Sequence, residues 1–129
     1  MVLVEKRRVD DEADPGFVLL PGGHVERSES FEDALRREMR EELGIRVLKL
    51  APIDIHYHLA TDGEKQRVHY FHVRKWNGII RSMEADRVYW ESRLSSLSDV
   101  MERRIVRKLL NRVNLDVRPL QKSLGHKIV

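Results

Sequence analysis

Apolar and polar positions along the chain fall into segments with distinct periods. VLVEKRR (2–8) opens with β-branched and apolar side chains and predicts a strand. VDDEADPG (9–16) is acidic, ends in Pro-Gly and predicts a loop. FVLL (17–20) reads as a short buried strand, cut off by PGG (21–23). The period then lengthens. Phe31, Ala34, Leu35, Met39 and Leu43 share one arc of a helical wheel. Ser28 or Ser30 is the expected N-cap, and Gly44 stands where a C′ glycine ends a helix. IRVLKLAPIDIHYHLA (45–60) alternates and predicts one strand, or two broken at Pro52. TDGEK is a hairpin-turn signal, QRVHYFHVRKW (66–76) a returning strand, and Asn77-Gly78 another turn. A loop (79–86) and a short strand (87–91) follow. SLSDVMERRIVRKLLNRV (96–113) carries Leu97, Val100, Met101, Ile105, Leu109 and Val113 at helical spacing, with Ser98 as its cap. The order β-β-α-β-β-β-α predicts an α/β (α+β) fold, a mixed sheet with a helix on each side. One domain over 1–129 is expected, with a core of 1–114 and a basic, aperiodic tail of 115–129.

Composition narrows the picture modestly. A chain of 129 residues, 41% hydrophobic, can bury one core. The absence of cysteine excludes disulfides, zinc–thiolate centres and thiol nucleophiles. No apolar run approaches the roughly 20 residues that span a bilayer, and the N-terminus has no secretory pattern, so a cytoplasmic protein without a membrane partner is expected. The net charge of +3 fits a phosphate-bearing partner but does not by itself predict a nucleic acid.

The first helix changes that picture. Glu38 and Glu42 fall inside its apolar arc and Glu41 on its flank, whereas Glu32, Asp33, Arg36 and Arg40 lie outside. Carboxylates on the buried side are costly unless a cation meets them. Arginines or a metal ion would serve, and closely spaced hard oxygens on a rigid helix suit Mg²⁺, with Mn²⁺ as an alternative. The histidines at 56, 58, 69 and 72 sit on two strands, and pairs at i,i+2 share a face. They are read as structural or solvent-facing rather than as ligands. Tyr57, Tyr70, Phe71, Trp76 and Trp90 are expected to be mostly core.

Residues 23–45 resemble the Nudix box: Gly, five residues, Glu, seven residues, Arg-Glu, an aliphatic residue, one residue, Glu-Glu, one residue, Gly, an aliphatic residue. The matching positions are Gly23, Glu29, Arg37, Glu38, Met39, Glu41, Glu42, Gly44 and Ile45, with no departure. LLPGGHVE is similar to the family's lead-in, and WNGIIRSMEADRVYW (76–90) looks like the MutT-type subgroup. The resemblance implies a Nudix-type α/β/α sandwich with a mixed β-sheet. It implies hydrolysis of a nucleoside diphosphate linked to another group. Glu41 and Glu42 would bind the divalent ion, with the Gly22 carbonyl and Glu38 as further ligands. Glu38, Glu41 and Glu84 are the catalytic candidates, Glu84 also as a later-loop metal ligand. Glu29 and Arg37 would form a supporting ion pair, with Gly23 and Gly44 shaping the ends of the box. His24 is the substrate-binding candidate.

MutT-like conversion of nucleoside triphosphate to monophosphate and pyrophosphate is the leading expectation. Hydrolysis of ADP-ribose or dinucleoside polyphosphates, and nucleotide or RNA-end binding without turnover, are the alternatives. A small-molecule nucleotide partner is expected and a nucleic acid is not. SLSDVMERR holds no asparagine of the kind MutT-type members offer to an oxidised guanine, so the base is left open. The family's usual first strand has no counterpart before VLVEKRR. HKIV (126–129) or a second subunit, making a homodimer, is expected to cover the edge this leaves.

Overall fold

A computed structural model describes residues 1–59 and 63–116, without the side chains of His58 and of residues 113–116. The strands are β1 (Val2–Lys6), β2 (Val18–Leu19), β3 (Arg46–Leu59), β4 (Lys65–Asn77) and β5 (Arg87–Glu91). The helices are α1 (Phe31–Leu43) and α2 (Val100–Asp116), and a 3₁₀ turn covers Leu94–Ser96. Element order and type agree with the sequence pattern. Residues 60–62, which include the first two of the TDGEK turn, and the tail beyond 116 with HKIV, lie outside the described residues.

The sheet differs from the expected single mixed one. Among the described residues it forms two antiparallel ladders, β2-β1-β5 and β3-β4. The connections explain the direction. β1 and β2 are joined by one loop and β3 and β4 by one hairpin, and adjacent strands so joined run antiparallel. β3 is continuous past Pro52, because the register shifts between Pro52 and Asp54 and absorbs the missing donor.

Strand alternation sorts the core to two sides. Val2 and Val4 pack with Leu20, Ile53, Tyr70, Leu97, Ile105, Val106 and Leu109 beneath α2. Leu3 packs with Leu35, Met39, Leu43, Ile45, Val47, Phe71 and Val73 beneath α1. The helices therefore cover opposite faces, giving the α/β/α sandwich. Residue 5 shares the face of residue 3, so the strand carries Glu5 toward α1, where it is only 2% exposed. Tyr57 and Trp90, expected in the core, are exposed.

The helix caps fix where the functional side chains point. Ser30 caps α1 by accepting the Asp33 N–H at 3.1 Å. Gly44 closes the helix at φ 69°, a left-handed conformation that glycine adopts without strain. For α2 the cap is Asp99, whose Oδ1 accepts the Met101 N–H at 2.7 Å. Ser98, the expected cap, instead accepts the Val18 N–H at 2.9 Å and ties β2 to the start of α2.

Candidate active site

The box acids divide into two groups. The outer group surrounds Arg37. Its Nε and Nη2 donate to the two oxygens of Glu29, each at 2.9 Å, a fork-on-fork pairing. Nη1 donates to Glu38 Oε1 at 2.9 Å and to Glu41 Oε2 at 3.3 Å, and Nη2 also reaches the His24 carbonyl at 2.8 Å. The Arg37 bonds, joined by the Glu26 N–H, hold the Glu29 carboxyl down at about 2. One guanidinium thus locks the loop of residues 24–29 onto α1. Gly23 belongs to the same arrangement, since a Cβ at that position would overlap the Glu38 carboxylate.

The inner group surrounds Glu42, which is 5% exposed. Its Oε2 accepts the Gly22 N–H at 3.2 Å. Burial pushes its carboxyl up to about 9, and the nearby Glu5, Glu38 and Glu84 push the same way. Glu84 arrives by a backbone route. The Arg81 N–H donates to the Leu43 carbonyl at 2.9 Å and the Met83 N–H to the Glu42 carbonyl at 3.0 Å. The loop 79–86 thereby satisfies carbonyls that the end of α1 leaves unpaired. Arg7 is the cation that partly offsets this charge. Its Nη1 donates to Glu5 Oε1 at 2.7 Å and its Nη2 to Asp11 Oδ2 at 2.9 Å.

The residues present suit a hard divalent cation in chemistry and charge. Four carboxylates influence one another at the inner group, and the two arginines that reach them are both shared, Arg7 with Asp11 and Arg37 with Glu29 and Glu41. As the side chains stand, no three His, Asp or Glu residues among the described residues converge tightly enough to chelate an ion. Glu38 and Glu41 are turned toward Arg37 instead. That statement includes His56, His69 and His72.

A cavity of about 460 Å³ opens beside this cluster. Gly22, Gly23, His24 and Glu38 contribute to its wall from the box, and Phe31, His69 and Glu102 from elsewhere. His24 is exposed on its rim. Phe31 and His69 stack with ring centroids 3.4 Å apart, and the Arg67 guanidinium lies 5.6 Å from the Phe31 ring centre. Burial, then Arg67, lowers the pKa of His69, so it is a neutral aromatic surface at pH 7.

A model of the NUDIX domain matches residues 1–108. The chain belongs to the Nudix family. Over 65 residues it is 40% identical to the nucleoside triphosphatase NudI of Escherichia fergusonii, covering 46% of each protein. Over 71 residues it is 34% identical to the 8-oxo-dGTP diphosphatase of Buchnera aphidicola, covering 55% of this chain and 56% of that protein. The chain thus spans about half the length of the curated relatives it matches. Among solved structures, the MutT Nudix hydrolase of Burkholderia pseudomallei superposes with a TM-score of 0.67 at 29% identity, over 83% of this chain and 86% of that one. The ORF135 protein of E. coli superposes with a TM-score of 0.69 at 27% identity, over 91% and 83%. Nudix hydrolases generally use a divalent metal such as Mg²⁺. Among the described residues, no helix is long and apolar enough to cross a membrane.

Glu5, Arg7 and Glu102 are the site residues absent from the motif-based expectation. A signal for Glu5 was present. VLVEK places an acid on the same face as Leu3 in a strand apolar on both sides, where a charge needs a reason.

Proposed function

We propose that this Nudix protein hydrolyses nucleoside triphosphates to monophosphate and pyrophosphate with a divalent cation, Mg²⁺ or Mn²⁺. One observation carries the reading: buried Glu42 sits among Glu5, Glu38 and Glu84 with too little positive charge to balance them, beside a nucleotide-sized cavity. Glu38, Glu41, Glu42, Glu84 and the Gly22 carbonyl would hold the ion, which when bound shields phosphate oxygens and acidifies a water. Recruiting Glu38 and Glu41 requires turning oxygens now held by Arg37. Glu38, Glu41 and Glu84 are the candidates to take the proton of the attacking water, and His24, on the cavity rim, is the candidate to meet a phosphate or sugar. Arg37 and Glu29 keep the loop and helix in fixed relation, so the backbone that carries the acids is set before substrate arrives. The named activities of the nucleoside triphosphatase and diphosphatase relatives support this substrate class.

The test is a substrate panel with Mg²⁺: common and oxidised nucleoside triphosphates, ADP-ribose and dinucleoside polyphosphates, with products identified by mass. Monophosphate and pyrophosphate from a triphosphate is the expected result. Turnover confined to ADP-ribose or dinucleoside polyphosphates would replace this reading with the second enzyme class. Binding without turnover would make the domain a nucleotide-binding module.

A further inference from the structure

Glu5 is the buried acid that the box does not supply, and Arg7 is the cation that holds it. Strand pairing sets Glu5 between Leu19, which leads into the PGG turn, and Val88, which follows the loop bearing Glu84. The Asp86 N–H donates to the Lys6 carbonyl at 3.0 Å and brings that loop down beside it. Burial opposes the ionised form of Glu5 most strongly, the Arg7 bond and charge favour it, and the charges of Glu84 and Glu38 oppose it. Among charges, Glu5 is also the one that acts most on Glu42.

Arg7 has two seats, one buried and one near the surface. Its Nη1 donates to Glu5 Oε1 at 2.7 Å, while Nε and Nη2 both donate to Asp11 Oδ2, at 3.1 and 2.9 Å. Asp11 is itself anchored, because its Oδ1 accepts the Ala13 N–H at 3.0 Å and the Asp14 N–H at 2.8 Å. Side-chain exposure is 3% at Glu5, 18% at Asp11 and 29% at Arg7. Two of the three bonds therefore lie on a fixed acid nearer to water. A turn of the guanidinium about that edge gives up one hydrogen bond, frees Glu5 and returns part of the charge to solvent.

We infer that Arg7 is an exchangeable counter-ion, which neutralises Glu5 in the metal-free protein and yields it to the divalent cation by withdrawing onto Asp11. The inference rests on the proposed use of such a cation. Arg7 is then a positioning residue that competes with the metal for an acid. Arg37 acts the other way, since its fork fixes the loop and helix that present the ligands. Charge proximity alone does not separate the two, because it has either arginine repel a cation.

The experiment titrates Mn²⁺ into the metal-free full chain by calorimetry, without nucleotide. Wild type, Arg7→Gln, Asp11→Asn and the double variant are compared, with circular dichroism as the check on folding. Arg7→Gln should bind Mn²⁺ roughly tenfold more tightly, the scale of one hydrogen bond to a charged group. It should also melt lower than wild type in EDTA, because Glu5 loses its cation. Asp11→Asn keeps an oxygen for the two backbone amides but loses the charged seat, so Arg7 stays on Glu5 and Mn²⁺ binding should weaken about threefold, the scale of a partly exposed ion pair. In the Arg7→Gln background the Asp11 substitution should change nothing, since both act through one guanidinium. Additive effects would reduce the observation to general charge near the site and overturn the inference, as would weaker or unchanged binding in Arg7→Gln. If Arg7→Gln does not fold, Asp11→Asn decides: weakened binding supports the exchange and unchanged binding overturns it. A wild type that binds no Mn²⁺ overturns the metal reading and the exchange with it, whereas a substrate panel without turnover leaves the titration to decide.

Discussion

Glu29 and Glu42 belong to one motif, thirteen positions apart, and sit at opposite ends of the carboxylate range. The first is held at about 2 by the Arg37 fork and the second is raised to about 9 by burial among other acids. Burial separates them in part, since Glu42 is buried and Glu29 is only half-buried. The cation differs as well. Glu29 has one from its own chain, in ideal geometry. Glu42 has only a distant share of Arg7, which is already committed to Glu5 and Asp11. The comparison teaches that a single motif's run of acids is a mixture. Some of its members are fully paired within the folded protein, and others are left without a cation of their own.

Breaking the incomplete side should have the largest effect. Glu42→Gln removes the group able to ionise against a cation without changing shape, and kcat is expected to fall at least about 100-fold with the fold intact by circular dichroism. Full activity in that variant with Mg²⁺ would mean that Glu42 is merely a buried acid. Breaking the complete side should cost less. Arg37→Ala frees Glu29, Glu38 and Glu41 together, and a loss of roughly 10- to 100-fold in activity or metal affinity is expected, as for other groups that orient metal ligands. A loss as deep as that of Glu42→Gln would erase the distinction between the two groups.

The gentlest probe is pH. Glu42 at about 9 and Glu102 at about 8 have raised values, so the stability they contribute is full below the ordinary carboxylate range and is lost as pH climbs through about 8 to 9. Glu29 is lowered, so its contribution is present above the ordinary range and disappears as pH falls toward about 2. In EDTA the melting temperature should therefore decline from about pH 5 to about pH 9, and the gain on adding Mg²⁺ should grow over the same interval. A melting temperature in EDTA that rises toward pH 9 would show that Glu42 has found a partner within the chain.

Local signals made most of the fold legible. The helical arc with Ser30 and Gly44 at its ends bounded α1, and alternation located β3 and β4. Legibility failed where partners lie far apart in the chain. Nothing near Ser98 announces that its hydroxyl serves Val18, eighty positions away, leaving Asp99 to cap α2. The division into two antiparallel ladders is likewise a matter of strand pairing, which periodicity does not encode. The motif named the acids of α1 because their spacing is local. It could not name Glu5, whose relevance depends on β1 lying under α1, nor Glu102, which reaches the cavity only because α2 folds back toward Leu20.

The two amides of Arg81 and Met83 that bond the last carbonyls of α1 carry a consequence for anyone who wishes to rebuild this site. One of those carbonyls belongs to Glu42, so the loop bearing Glu84 is moored directly to that buried acid. A loop grafted from a relative would have to present two N–H groups in the same register before its acid mattered. Conversely, a proline at Arg81 or Met83 would set Glu84 adrift while leaving every letter of the box in place.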